Sequence, residues 1–465
     1  MFEQPGPEDL VKHFKNVSDV VTVTKFVNLS SLNSEHYIIL TMFLASGRTM
    51  GPYRLLLLLM VNITTLLTCH GIPVQLHDQI TAGSNTSRYA IFLDAGSSKT
   101  KLIVYKVDAN APPLDVTDIQ LLGGFKVKPG LASLAGNPSA VDGYLKPLLD
   151  AAMKIVPVAK HASTPIFLFA TAGMRLIRKR QSDAIMNKVK MLFNDKAKCP
   201  FTLNPETDVK VVSGAFEGIY AWISLNFLKG RFAPGNSGST FGILEIGGAS
   251  HQNTFENPSK ETIALTVAGK PYHLFARSYL GYGLNEARKR YFETLAKNPP
   301  VNGVLQSPCH HNGFQDQISI SGRMFTIRGT AQVEECRSII QQTFFCKSPN
   351  CPFYDQPKLP GDFFGFSGIF YAAHGTGMIN CWHCTKPLSP AMYDVSSRRF
   401  CAKKYHEVSS DPYAKNTCFS SNFVYELLSQ GYGLPADKLI EAGNQVNGFN
   451  VGWTLGAMLY NMKML

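Results

Sequence analysis

Residues 88–107 read RYAIFLDAGSSKTKLIVYKV, and the fold of the chain turns on how that stretch is parsed. Arg88–Asp94 is an apolar run that ends on an acid, Ala95–Lys99 is small and polar, and Lys101–Val107 is a second apolar run. The spacing predicts strand, tight turn, strand. The arrangement returns 151 positions later (245 − 94), with Thr240–Glu245 (TFGILE) as strand, Ile246–Ser250 (IGGAS) as turn and an extended segment through Gln252–Phe255. Small side chains let backbone N–H groups approach an anion closely, although one such turn after a strand is more often plain turn chemistry. Repetition, with an acid at the same place each time, points to two hairpins that hold one polyphosphate from both sides. Acids beside such a cradle are where a divalent cation offsets substrate charge.

Between the two units, Pro165–Ala170 (PIFLFA) predicts a buried strand and Thr171–Arg180 (TAGMRLIRKR) a basic helix at its end. Val209–Ser213 (VKVVS) predicts a short strand, followed by a helix over Gly214–Leu228 with Ile219, Trp222, Ile223 and Phe227 on one face. Glu217 falls in the first turn, where a carboxylate ordinarily caps the helix or matches its dipole. Alternating strands and helices indicate α/β units with mixed sheets.

The whole chain has 465 residues, 45% of them hydrophobic, with 45 Lys plus Arg against 33 Asp plus Glu, a net charge of +12. That length implies two or more domain-sized units and, with 30 Phe and 18 Tyr to bury, excludes a disordered or collagen-like chain. The clusters at Arg175–Arg180, Arg288–Arg290 and Arg398–Lys404 are dispersed and lack interleaved aromatics, which argues against nucleic acid and for small anionic partners. From Met50 the chain reads MGPYRLLLLLMVNITTLLTCHG, whose apolar core of about thirteen residues is too short for a spanning helix of ~20. It reads as a secretory signal, or a signal anchor if uncleaved, and no second spanning run follows. Whether Met1 or Met50 starts the protein stays open. The expectation is a mature chain that is secreted or in the secretory-pathway lumen, with membrane contact only through an uncleaved signal. Asn85 in Asn-Thr-Ser is the first plausible glycosylation acceptor, whereas Asn257 is blocked by Pro258.

The set DAGSSKT (Asp94–Thr100), ATAGMR (Ala170–Arg175), EGIYAWISLNFL (Glu217–Leu228), LEIGGASHQ (Leu244–Gln252) and GWTLGAML (Gly452–Leu459) resembles, in order, the five conserved regions of the apyrases, the ecto-nucleoside triphosphate diphosphohydrolases. The resemblance implies an α/β fold of two actin/Hsp70-like, ribonuclease-H-type lobes with the active site in the interlobe cleft. It implies an N-terminal extension and signal over 1–70, a first lobe over 71–213 to which 441–465 return, and a second lobe over 214–440. It further implies hydrolysis of nucleoside tri- and diphosphates with Ca²⁺ or Mg²⁺. Glu217 takes the role of general base, Ser250 positions the water and Gln252 lies nearby. Asp94 and Glu245 hold the metal, mostly through waters. Ser97, Ser98, Lys99, Thr100, Gly247, Gly248, Ala249 and Ser250 cradle the phosphates, supported by Thr171 and Arg175.

Three positions depart from the family pattern: Glu245 stands where Asp is usual, His251 where Thr is usual, and Lys99 where cell-surface members commonly have His. If Cys69 leaves with the signal, nine of ten cysteines remain, so at least one is free or intermolecular. Family resemblance suggests the bridges Cys346–Cys351, Cys401–Cys418 and Cys309–Cys336. Cys381-Trp-His-Cys384 has no second Cys/His pair at zinc spacing, so a local disulfide, or pairing of one member with Cys199, is preferred to metal. For a nucleobase, GFSGIFYAAHG (Gly365–Gly375) supplies Phe370 and Tyr371, with Tyr371 the chosen platform and Phe366 assigned to the core. Trp453 is read as a packing residue joining the last helix to the first lobe. The leading reading is a metal-dependent apyrase. A secretory-pathway nucleoside diphosphatase for UDP and GDP, and a nucleotide-binding protein that has lost hydrolysis, remain open beside it.

Overall fold

In the computed structural model, which describes residues 87–108, 115–257, 262–297 and 302–465, the first quoted stretch forms strands β1 (Arg88–Ala95) and β2 (Thr100–Val107). They pair antiparallel with Ala95 opposite Thr100, so the polar turn sits at the sheet edge. With β3 (Ile119–Val127), β4 (Ile166–Ala170) and β5 (Val209–Val211) they make a five-stranded sheet in the order β3-β2-β1-β4-β5. The first three strands are antiparallel and the last two parallel to β1. Alternation does the rest: Ile91, Leu93, Leu102 and Val104 face helices α1 (Val141–Ile155) and, beyond the short α2 (Ala172–Leu176), α3 (Lys179–Asn194), while Phe92 and Tyr105 face the opposite core. The basic helix expected over Thr171–Arg180 is therefore two helices, because the chain turns extended at Ile177 and Arg178.

Helix α4 (Gly214–Leu228) has the predicted bounds, but it is buried all round from Glu217 to Leu228 rather than on one face. After it come β6 (Gly242–Ile246), β7 (Ser250–Glu256), β8 (Ile263–Val267), β9 (Lys270–Leu280) and α5 (Leu284–Leu295). A small sheet of β10 (Val304–Ser307), β11 (Gln315–Ile320) and β12 (Arg323–Gly329) precedes α6 (Val333–Phe344), β13 (Phe363–Ser367), α7 (Gly368–Gly375), β14 (Lys386–Leu388), α8 (Pro390–Cys401), α9 (Ala414–Glu426) and β15 (Ile440–Ala442). The second main sheet runs β14-β15-β13-β6-β7-β9-β8. Its inner five strands, taken as β9-β7-β6-β13-β15, repeat the order and the senses of the first sheet. The duplicated order is the pair of ribonuclease-H-type lobes expected from the sequence.

Helix α10 (Trp453–Asn461) lies against α4, and the two helices fill the layer between the sheets. Their backbones meet at Gly456, where a Cβ would fall 1.9 Å from the Tyr220 carbonyl oxygen. Trp453 stacks on Phe169 and sets its edge on Phe92, as a joint to the first lobe. Strand β15, which includes Glu441 and Ala442, belongs to the second sheet. The three disulfides suggested above form, and Cys381 pairs with Cys384, which removes the zinc alternative and leaves Cys199, buried, as the free cysteine among the described residues. The expected signal and Asn85 lie outside the described residues. Among the described residues no helix is long and apolar enough to cross a membrane.

Candidate active site

The ends of β1 and β6, each the middle strand of its five-strand order, carry Asp94 and Glu245 into one cleft, where the two carboxyls feel each other's charge. The turns come close: a Cβ on Gly248 would lie 2.8 Å from Ser97 Oγ, so glycine is what lets the second loop approach the first. Parallel pairing of β1 with β4 brings Ala95 beside Ala170, and the Thr171 N–H donates to Ala95 O at 3.2 Å.

Arg175 ties the lobes together. Its Nη1 donates to Val212 O at 2.8 Å at the end of β5, and its Nη2 donates to Glu217 Oε2 at 2.8 Å and to Ser250 Oγ at 3.3 Å. Gln252 Nε2 donates to Ser250 Oγ at 2.6 Å and to Ser278 Oγ at 3.2 Å. Strand alternation puts Ser250 and Gln252 on the face toward α4. His251 consequently points the other way, into the second lobe, where Nδ1 lies 2.6 Å from Glu245 O and Nε2 meets the Tyr432 hydroxyl. Burial pushes its imidazole down to about 3, so it is neutral, and this departure from the family pattern braces the strand rather than touching the cleft.

Three carboxyls share the buried site. Burial raises Glu217 to about 7 against the opposing pull of Arg175. Burial, and then the charges of Glu217 and Asp94, raise Glu245 to about 8. Asp94 is raised by burial, although Lys101 and Lys99 oppose it. Glu245 Oε1 accepts from Ser367 Oγ at 3.3 Å, while the buried Oε2 has no hydrogen-bond partner. Among the described residues no three His, Cys, Asp or Glu side chains gather closely enough to ligate an ion directly. A cation held by Asp94 and Glu245 largely through waters fits both observations: it supplies the missing partner and relieves the mutual repulsion.

The remaining residues divide. Ser97, Ser98 and Lys99 line the first turn at intermediate to exposed positions. The Thr100 hydroxyl turns away to meet the Tyr144 hydroxyl at 2.9 Å, and the Gly247 N–H is spent on Ser250 O at 2.9 Å, so these two offer the cradle less than expected. Gly248 and Ala249 complete the second turn. Phe370 is fully buried, with its ring edge-on to Tyr371 and Trp382, and so lies beneath the exposed ring rather than facing ligand. Tyr371 is 39% exposed and stacks on Trp382. Sequence reasoning missed Ser278, Ser367 and Trp382. Ser278 and Ser367 reach the site only through sheet pairing, and Ser367 holds its hydroxyl there from a left-handed backbone at φ 54°. Trp382 stands inside the Cys381–Cys384 motif, where nothing in the sequence marks it as a partner for Tyr371.

A family model described as GDA1/CD39 (nucleoside phosphatase) matches residues 80–465. The chain belongs to this GDA1/CD39 family. It is similar to ectonucleoside triphosphate diphosphohydrolase 1 of Bos taurus, at 30% identity over 80% of each chain. The same enzyme of Mus musculus is 29% identical over 81% of each chain, and nucleoside-triphosphatase ntp-1 of Caenorhabditis elegans is 29% identical over 82% of this chain and 74% of that one. Among solved structures, a nucleoside triphosphate hydrolase from Neospora caninum superposes with TM-score 0.64 at 16% identity, covering 82% of this chain and 93% of the other, which shows the shared fold of this GDA1/CD39 member.

Proposed function

We propose that this chain is a metal-dependent apyrase that removes the terminal phosphate from nucleoside tri- and diphosphates. The observation that carries the reading is the hydrogen-bonded set Arg175, Glu217, Ser250 and Gln252 placed where two anion-binding turns face each other. Water is a poor nucleophile, and a carboxylate titrating near 7 accepts its proton at little cost at neutral pH. Ser250 Oγ accepts from Arg175 and Gln252, so its own O–H is left to donate to one lone pair of the water, leaving the other aimed at phosphorus. Arg175 holds Glu217 in that orientation and offsets its charge. The turn backbones and Lys99 receive the phosphate oxygens, and Tyr371 offers a ring face that any base can stack on. A divalent cation at Asp94 and Glu245 would neutralise phosphate charge as it shifts toward the leaving oxygen. Four disulfides support an oxidising compartment, in keeping with a secretory route.

The test is phosphate release from ATP, ADP, UDP and GDP with Ca²⁺ or Mg²⁺ by wild type and Glu217→Gln. Expected is release by wild type and a loss of about 10²–10⁴-fold in the variant. Full activity in the variant removes Glu217 from the role of base, and release confined to UDP and GDP replaces the apyrase with a nucleoside diphosphatase.

A further inference from the structure

The phosphate-facing end of the first sheet carries more positive charge than a stable hairpin needs. Lys101 on β2 is directly opposite Lys126 on β3, and Thr100 is opposite Val127. Lys99 and Lys128 each lie one residue beyond that last pair. Thr100, Leu102 and Val127 pack toward the first-lobe core, so alternation puts Lys101 and Lys126 on the other face, the one on which Asp94 stands, and the charges of Lys101, Lys126 and Lys128 all act on Lys99. Like charges directly opposite across strands are destabilising. Asp94 is the one acid paired with them in the register, with Lys101 Nζ 3.7 Å from its Oδ2.

The lysines are also held in place. A Cβ on Gly130 would fall 2.5 Å from Ser97 O and 2.6 Å from Gly96 O, so the segment after Lys128 is pressed onto the phosphate turn itself. The Tyr144 hydroxyl, 2.6 Å from Pro129 O and 2.9 Å from Thr100 Oγ1, pins that segment to the start of β2. Lys126 and Lys128 remain exposed beside the cleft while Lys99 and Lys101 lie deeper, so the four form a graded strip that leads into the turn. Burial, together with the ammonium groups of Lys101, Lys126 and Lys128, lowers Lys99 to about 7, which an arriving anion would reverse.

We propose that Lys99, Lys101, Lys126 and Lys128 form a phosphate-chain subsite that holds the leaving-group phosphates. Rates then rise with the number of phosphates, and inorganic tripolyphosphate is a substrate without any nucleoside. This rests on the hydrolase reading above and adds the substrate class. In the step itself a water oxygen bonds to the terminal phosphorus and Glu217 takes the water's proton. The bridging P–O bond breaks with its electron pair on the bridging oxygen, releasing phosphate and pyrophosphate.

The experiment measures tripolyphosphate binding by calorimetry in the Glu217→Gln background, where turnover does not intervene, and kcat/KM for ATP, ADP and tripolyphosphate in the active enzyme. Lys126→Ser/Lys128→Ser should weaken tripolyphosphate binding about tenfold and lower the ATP to ADP ratio of kcat/KM several-fold. Lys126→Arg/Lys128→Arg should restore both, and Lys179→Ser/Arg180→Ser, equal in charge but at the exposed start of α3, should leave both within twofold. Unchanged tripolyphosphate affinity in the serine pair, or an equal loss in the α3 control, overturns the subsite whatever the turnover. Lysine-dependent binding in a wild type that releases no phosphate from any nucleotide would keep the subsite and overturn the hydrolase reading instead.

Discussion

Glu217 is held between burial, which raises its carboxyl to about 7, and the Arg175 guanidinium 2.8 Å away, which lowers it. Removing the arginine leaves burial unopposed. Arg175→Met should therefore shift the acidic limb of the kcat/KM profile to higher pH as well as lower the plateau, and a limb that stays in place would show that Arg175 acts on phosphate alone. The residues of this site were legible to different degrees. Asp94, Glu217, Glu245, Ser250 and Gln252 lie within the short motifs that carry the family resemblance. Ser278 and Ser367 do not: Ser278 is 26 residues from Gln252 and Ser367 is 122 from Glu245, and only sheet register closes those gaps. Phe370 was misplaced because a helix turns adjacent residues some 100° apart, so Tyr371 faces out while its neighbour fills the core.

At the scale of elements, the two strand-turn-strand units were readable from their repeated pattern, whereas the five-strand order around each came only with the sheet pairing, the two-lobe fold having been implied by the family resemblance. Alternation does not reveal how a helix is shared. Helix α4 looked amphipathic, yet its full circumference from Glu217 onward is covered, because α10 and strands β7 and β9 pack around it. The contact at Gly456 is the tightest point of that arrangement. Gly456→Val should destabilise by about 1–3 kcal/mol or more, although glycine is a poor helix former, since the carbonyl it would strike belongs to a buried helix. Denaturant midpoints of the variant and wild type measure this, and an unchanged midpoint would mean that α10 does not pack tightly on α4 in solution.

For the molecule as a whole, the three carboxyls link stability to pH. Glu217 and Glu245 have usual values of 4.5 and are raised to about 7 and about 8 in the folded state, and Asp94 is raised from 3.8. The folded chain thus binds more protons than the unfolded one between roughly 4.5 and 8, so this contribution is complete below the unfolded values and is lost as pH rises through 7 to 8. Without metal, Tm should fall across that window. The divalent cation proposed at Asp94 and Glu245 would bind the ionised groups, so the gain in Tm from Ca²⁺ over a chelator should be larger at pH 8 than at pH 5, and Glu245→Gln should reduce the difference. Equal gains at both values would place the ion elsewhere.

The joint made by α10 also fixes when the protein can become itself. Tyr105 and Thr454, 349 residues apart, meet through their hydroxyls at 3.0 Å, and Trp453 covers Phe92 and Phe169. At the usual pace of synthesis, about 5–20 residues per second, the aromatic face of the first sheet waits roughly 20–70 s for the helix that closes it. During that interval the hairpin that will carry Asp94 exposes apolar surface without its cover. The first sheet is begun first and covered last, so closure of its aromatic face is a late event in synthesis.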